Sequence, residues 1–131
     1  MTIIETLEKW ADAEIALLEQ SPDFKKESHN VIISWFFFGS CDICTQAMDL
    51  DDNEFKYFYN KLLSYIGISN EYREKTITSW MLDEISEEEY FIINQGAHGF
   101  KDFESKPKGV GGLKLCFSEF AEKFSNKNII R

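Results

Sequence analysis

Val31-Ile32-Ile33-Ser34-Trp35-Phe36-Phe37-Phe38 carries no polar face. Whatever structure this stretch adopts must be covered on every side, so the rest of the chain has to be built around it. Eight such residues fit a strand buried on both faces or the opening turns of a buried helix, and periodicity alone does not separate the two. The continuation favours the helix. Ile43, Ala47 and Met48 extend an i, i+4 pattern with no intervening turn, and the small Gly39 and Ser40 would let a neighbouring helix approach closely. We therefore expect a buried central helix over 31–50.

The chain has enough apolar material to cover it. In 131 residues, 44% hydrophobic and with twelve phenylalanines, one sizeable core can form, and a disordered chain is excluded. We expect a single helical domain over 1–131. The apolar run is far short of the roughly 20 residues needed to cross a bilayer, so no membrane span is expected. Met1-Thr2-Ile3-Ile4-Glu5 lacks the positive start and apolar stretch of a secretory signal. Three cysteines, an odd count in a chain with its own core, fit reduced thiols. Together these point to the cytoplasm.

Around the central segment the stripes are helical. Thr2 with Glu5 three residues on forms a capping-box pattern ahead of Ile4, Leu7, Ala11, Ile15 and Leu18. Ser21-Pro22 interrupts it and suits the start of another helix. Asp51 with Glu54 opens the stripe Phe55, Phe58, Tyr59, Leu62, Leu63 and Ile66, which Gly67 ends in a left-handed turn, with Ile68 placed for the accompanying contact. Ser69 or Asn70 opens a helix whose inner face reads Ile77, Trp80, Met81 and Ile85. Ser86 with Glu89 opens another that carries Tyr90, Ile93, Ala97 and Phe100. Residues 104–112, with Lys106-Pro107-Lys108-Gly109-Val110-Gly111-Gly112, read as a flexible loop, because three glycines and a proline defeat regular structure. Leu113, Cys116, Phe117, Phe120, Ala121 and Phe124 then restore the stripe, and 125–131 is expected to fray. The fold class is all-α, a compact bundle of five or six helices.

Cys41-Asp42-Ile43-Cys44 is the most suggestive local motif, because a Cys-x-x-Cys at a helix start can lower a thiol pKa and cycle through a disulfide. With 31–38 taken as a strand, these roughly fourteen residues resemble the strand, redox pair and helix of the thioredoxin family. That resemblance implies thiol-disulfide oxidoreductase activity on Cys41 and Cys44. The chain departs from the family in lacking a βαβ continuation, and neither Pro22 nor Pro107 lies in an apolar strand. With 31–50 helical, both cysteines instead sit on adjacent turns of a buried helix and behave as small hydrophobes.

Other constellations are incomplete. Cys41, Cys44 and Cys116 with His29 or His98 would supply four zinc ligands, but structural zinc sites draw theirs from two tight pairs and the second pair is missing. His98 is a conceivable general base without an assignable nucleophile, and its flanking glycines fit close helix packing. Asp49, Asp51 and Asn53 alternate like the start of a calcium loop, yet Glu54 occupies the glycine position and Asn60 the glutamate position. The glycines at 109, 111 and 112 lack the Lys-Ser or Lys-Thr ending of a phosphate loop. No catalytic residue, metal or cofactor is assigned.

Charge is what remains. Residues 1–100 hold 19 acids against 7 bases, residues 101–131 hold 4 against 7, and the net charge is −9. Such a body repels a phosphate backbone, which disfavours nucleic-acid binding. Asp49, Asp51, Asp52 and Glu54 cluster at one expected helix start, and Asp83, Glu84, Glu87, Glu88 and Glu89 at another. Acids there stabilise helix N-termini whatever the function. As a functional surface they would steer and dock a basic protein partner, which makes a non-catalytic binding protein the leading expectation, an inhibitor or immunity protein for a basic toxin being one form of it. A homo-oligomeric structural protein, at its simplest a homodimer, is the third class.

Overall fold

In the computed structural model, residues 2–20, 29–106 and 110–129 are described, with side chains through Phe120. Among them are six helices and no strand: α1 Ile3–Glu19, α2 Asn30–Ala47, α3 Asp52–Ile66, α4 Asn70–Met81, α5 Glu87–Ser105 and α6 Gly112–Ile129. The ambiguous stretch 31–38 is helix, and α2 stops three residues short of the expected Leu50. The break before α6 begins at Lys106, because α5 continues through Ser105. The expected cap at Ser21-Pro22 and residues 107–109 of the loop lie outside the described residues, as does the end of the 125–131 segment at 130–131.

Three helix starts are written locally. Thr2, Asp51 and Ser86 each form a reciprocal capping box with Glu5, Glu54 and Glu89, in which the cap side chain accepts the N3 backbone N–H and the glutamate accepts the cap's own. Gly67, at φ 87°, closes α3 with the Ile68 N–H donating to the Leu63 carbonyl at 2.9 Å, and Ile68 is buried against the core.

α2 is the axis of the bundle and touches all five other helices. Every residue from Ile32 to Cys41 is buried, as an all-apolar segment requires. Its closest partner is α5, which runs alongside in the same direction: Trp35 bonds to Glu89 near one end, and Cys44 lines one groove with Lys101 and Glu104 near the other. The two backbones nearly touch in between. A Cβ on Gly39 would stand 1.9 Å from the Ile93 carbonyl oxygen, and one on Gly96 would stand 1.7 Å from that of Phe36. Glycine at both positions is therefore a steric condition for this pairing.

The other face of α2 receives α3, antiparallel to it. Phe38 meets Phe55 at 4.8 Å between ring centroids, and the Tyr59 hydroxyl donates to the Ser34 carbonyl at 3.3 Å. α4 folds back along α3, bringing Thr76 to Tyr59 and Trp80 to Phe55. On α1, Trp10 packs on Phe36, Phe37 and Phe100 with centroids 5.2–5.4 Å away.

Several expected inward positions face outward. Met48, Met81 and Tyr90 are 47%, 65% and 46% exposed. Met81 ends α4 beside Trp80, where one ring already fills the contact with Phe38 and Phe55. On α5 the glycine seam turns Ile92, Ile93, Gly96, Phe100 and Phe103 inward, which rotates Tyr90 out. The α1 stripe likewise includes Trp10 and Glu14, both buried and both unanticipated.

Candidate functional site

The acidic residues divide by what their backbones require. Asp51 Oδ1 accepts the Glu54 N–H at 2.8 Å, and Glu54 Oε1 accepts the Asp51 N–H at 3.4 Å, so this pair caps α3. Glu89 has two tasks: Oε1 accepts the Ser86 N–H at 2.8 Å, and Oε2 accepts the Trp35 indole N–H at 3.0 Å. Asp49 and Asp83 do not belong to helix starts. Each ends the preceding helix in the left-handed region, at φ 55° and 56°. Beyond them the Leu50 N–H donates to the Thr45 carbonyl at 2.9 Å and the Glu84 N–H to the Ser79 carbonyl at 2.8 Å, the six-to-one bond of a glycine-type helix end. Aspartate is among the few non-glycine residues that adopt this conformation routinely.

Asp52, Asp83, Glu84 and Glu87 are exposed and make no side-chain hydrogen bond or ion pair with another described residue. Tertiary structure groups the two sequence clusters. The Phe55–Trp80 contact, 4.9 Å between centroids, joins the start of α3 to the end of α4, while Trp35, bonded to Glu89, has its ring centroid 5.2 Å from that of Phe38. Phe38 lies 4.8 Å from Phe55 and 5.6 Å from Trp80. The segments that carry the two clusters thus meet at one aromatic group. Met81 and Leu82, immediately before Asp83 and Glu84, are 65% and 60% exposed. Phe55, by contrast, is core. Asp42 is held above the usual carboxylate range, chiefly by burial and, more weakly, by nearby Asp52, while its bond from Gln46 opposes both.

The cysteines lie elsewhere and are buried and unbridged. Burial pushes the Cys41 thiol well up, and Cys44 and Cys116 up to about 12, the opposite of the depressed pKa that makes a thiolate nucleophile at neutral pH. Cys44 borders an open groove with Ile3, Ile43, Met48, Lys101 and Glu104. His29 is buried with its ring 4.2 Å from Phe117, and His98 is exposed on α5. Among the described residues no group of three or more His, Cys, Asp or Glu side chains is placed to hold a metal ion.

Glu14 is the polar residue that sequence reasoning missed. It is fully buried on α1, and its Oε1 accepts the backbone N–H groups of Gly111 and Leu113, each at 3.2 Å. Those groups open α6, whose first position is preceded by Gly111, a residue with no side chain to cap it. A carboxylate from the first helix therefore does the work of an N-cap for the last. Burial raises its pKa, and the Leu113 and Gly111 N–H groups and Trp10 lower it less. Its position between Leu7, Ala11 and Leu18 was legible; its partners were not.

No helix of the described residues is long and apolar enough to cross a membrane. No family model matches the chain, and no curated protein or solved structure matches it either.

Proposed function

We propose that this protein is a non-catalytic docking domain for a basic protein partner, of the kind an inhibitor or immunity protein provides for a basic toxin. The observation that carries this reading is the exposed Met81–Leu82 pair set against free carboxylates at Asp52, Asp83, Glu84 and Glu87. An apolar centre bordered by charges of one sign suits a complementary protein surface, the apolar part supplying affinity and the charges steering the encounter. Among the described residues these four accept no backbone hydrogen bond, unlike Asp51, Glu54 and Glu89, and of the four only Asp52 and Glu87 lie in a first turn where the helix dipole favours an acid.

The test is affinity capture from the native organism with two baits, the wild-type chain and a variant carrying Lys at Asp52, Asp83, Glu84 and Glu87. The capping acids are spared so that the fold survives. A basic protein recovered by the first bait and lost by the second, with recovery falling as salt rises, is the expected result. Equal recovery by both baits would remove this surface from the function.

A further inference from the structure

α4 is held to the bundle differently from its neighbours. Of its 12 residues only Thr76 is buried, and Tyr72, Ile77 and Trp80 are half-buried against the core. Trp80 contacts the aromatic floor at Phe38 and Phe55. Polar ties accompany it: the Tyr59 hydroxyl lies 2.5 Å from Thr76 Oγ1, and Arg73 Nη1 donates to the Asn60 carbonyl of α3 at 3.1 Å. Near these ties Ser34 Oγ and Arg73 Nε are buried without a partner among the described residues, each a desolvation cost that contact with water would relieve.

The start of the helix has no side-chain cap. α1, α3 and α5 start with reciprocal capping boxes, whereas Ser69 makes no side-chain bond to the start of α4. Left-handed residues flank it on both sides, Gly67 before and Asp83 after, so each connection turns sharply within a few residues. The helices beneath are fixed by contacts α4 does not share, notably the backbone approach of α2 to α5 at Gly39 and Gly96.

We propose that α4 is a lid: it opens as a unit about the turns at 67–69 and 82–84 while α2 and α5 remain packed, uncovering Phe38, Phe55 and Tyr59 as an apolar floor. Opening hydrates Ser34 Oγ and Arg73 Nε, and closure recovers the Trp80 ring contacts and the Tyr59–Thr76 and Arg73–Asn60 bonds. The closed form is the ground state because rings outweigh two orphaned polar atoms. Local openings of this kind occur below the global unfolding free energy in segments with few buried contacts.

The proposal needs no partner and is tested on the full chain by amide hydrogen exchange in low concentrations of urea. Amides of 73–82 should exchange through an opening at least about tenfold more frequent than that reporting α2 and α5. Tyr59→Phe keeps the ring but removes the bonds to Thr76 and Ser34, which only the closed chain makes; it should speed α4 exchange by about a further tenfold, with the global opening rising by no more than a similar factor, so that α4 still exchanges ahead of α5. Exchange of α4 only through the opening that also releases α2 and α5 would overturn the lid, as would α4 exchange that Tyr59→Phe leaves unchanged. Should Tyr59→Phe not fold, exchange in the unaltered chain decides the matter.

Discussion

Gly96 shows how much a single missing side chain can decide. A methyl group there would meet the Phe36 carbonyl at 1.7 Å, and backbone on both sides leaves nothing to rotate away. Gly96→Ala should destabilise the protein by about 3 kcal/mol or more, read as a lower urea midpoint. Gly99→Ala, whose Cβ would meet the Trp10 ring at 3.3 Å, should cost far less, since helix propensity favours alanine by about 1 kcal/mol. Equal losses would mean that the α2–α5 seam can relax. Glu14 poses the converse case, a charge placed where water is absent. Its folded pKa lies above the unfolded value, so the folded chain takes up the proton more readily. Stability from this group is fully present below the unfolded pKa and is lost as pH rises through the folded one. Glu14→Gln keeps an oxygen for the Gly111 and Leu113 N–H groups and removes the buried charge. At neutral pH it should leave stability unchanged or raise it by about 1 kcal/mol, and flatten this part of the pH profile. A loss of several kcal/mol on the same substitution would show that the anion, rather than the hydrogen bonds, holds α6.

At the scale of an element, one residue type acts with opposite sign at the two ends of a helix. Asp51 caps α3 and faces the positive end of its dipole, and Asp51→Ala should cost about 1 kcal/mol of unfolding free energy. Asp83 lies past the end of α4 at φ 56°, where its charge opposes the negative end of the dipole. Asp83→Asn keeps a side chain that tolerates the left-handed region and removes that charge, so it should stabilise by about 0.3–1 kcal/mol. Thermal unfolding of the two variants should therefore move in opposite directions. Both residues looked alike in the sequence, each an acid beside a helix boundary. What separates them is which helix their backbone belongs to, and that rests on where α2 and α4 stop.

For the whole molecule the relevant quantity is the distribution of its net charge of −9. Salt screens a field over about 10 Å at 0.1 M, so acids gathered at one end of the bundle steer a partner while scattered acids only raise solubility. Lys at Asp52, Asp83, Glu84 and Glu87 should slow association with a captured basic partner by tenfold or more, in the range that electrostatic steering commands. The control is Lys at Glu19, Asp102, Glu104 and Glu119, exposed acids away from Met81–Leu82, which changes net charge by the same amount. If both variants slow association alike in stopped-flow measurements, net charge alone accounts for the effect and the surface loses its special standing.

Sequence by itself determined the helical class, the start of α1, α3 and α5, and the turn at Gly67, because those features satisfy backbone groups with partners three to five residues away. It also determined that 31–38 would be central, since an all-apolar segment has no stable place in water. Tertiary structure alone decided which side of a stripe meets another helix, which is why Met81 and Tyr90 face solvent and Trp10 does not. It decided that Glu14 caps a helix starting nearly a hundred residues later. It also brought the segments that carry the two acidic clusters together at the Phe38, Phe55 and Trp80 rings. Local hydrogen bonding is encoded within a few residues, but burial and charge proximity belong to pairs of helices, and the pairing of α2 with α5 is set where two glycines let their backbones meet.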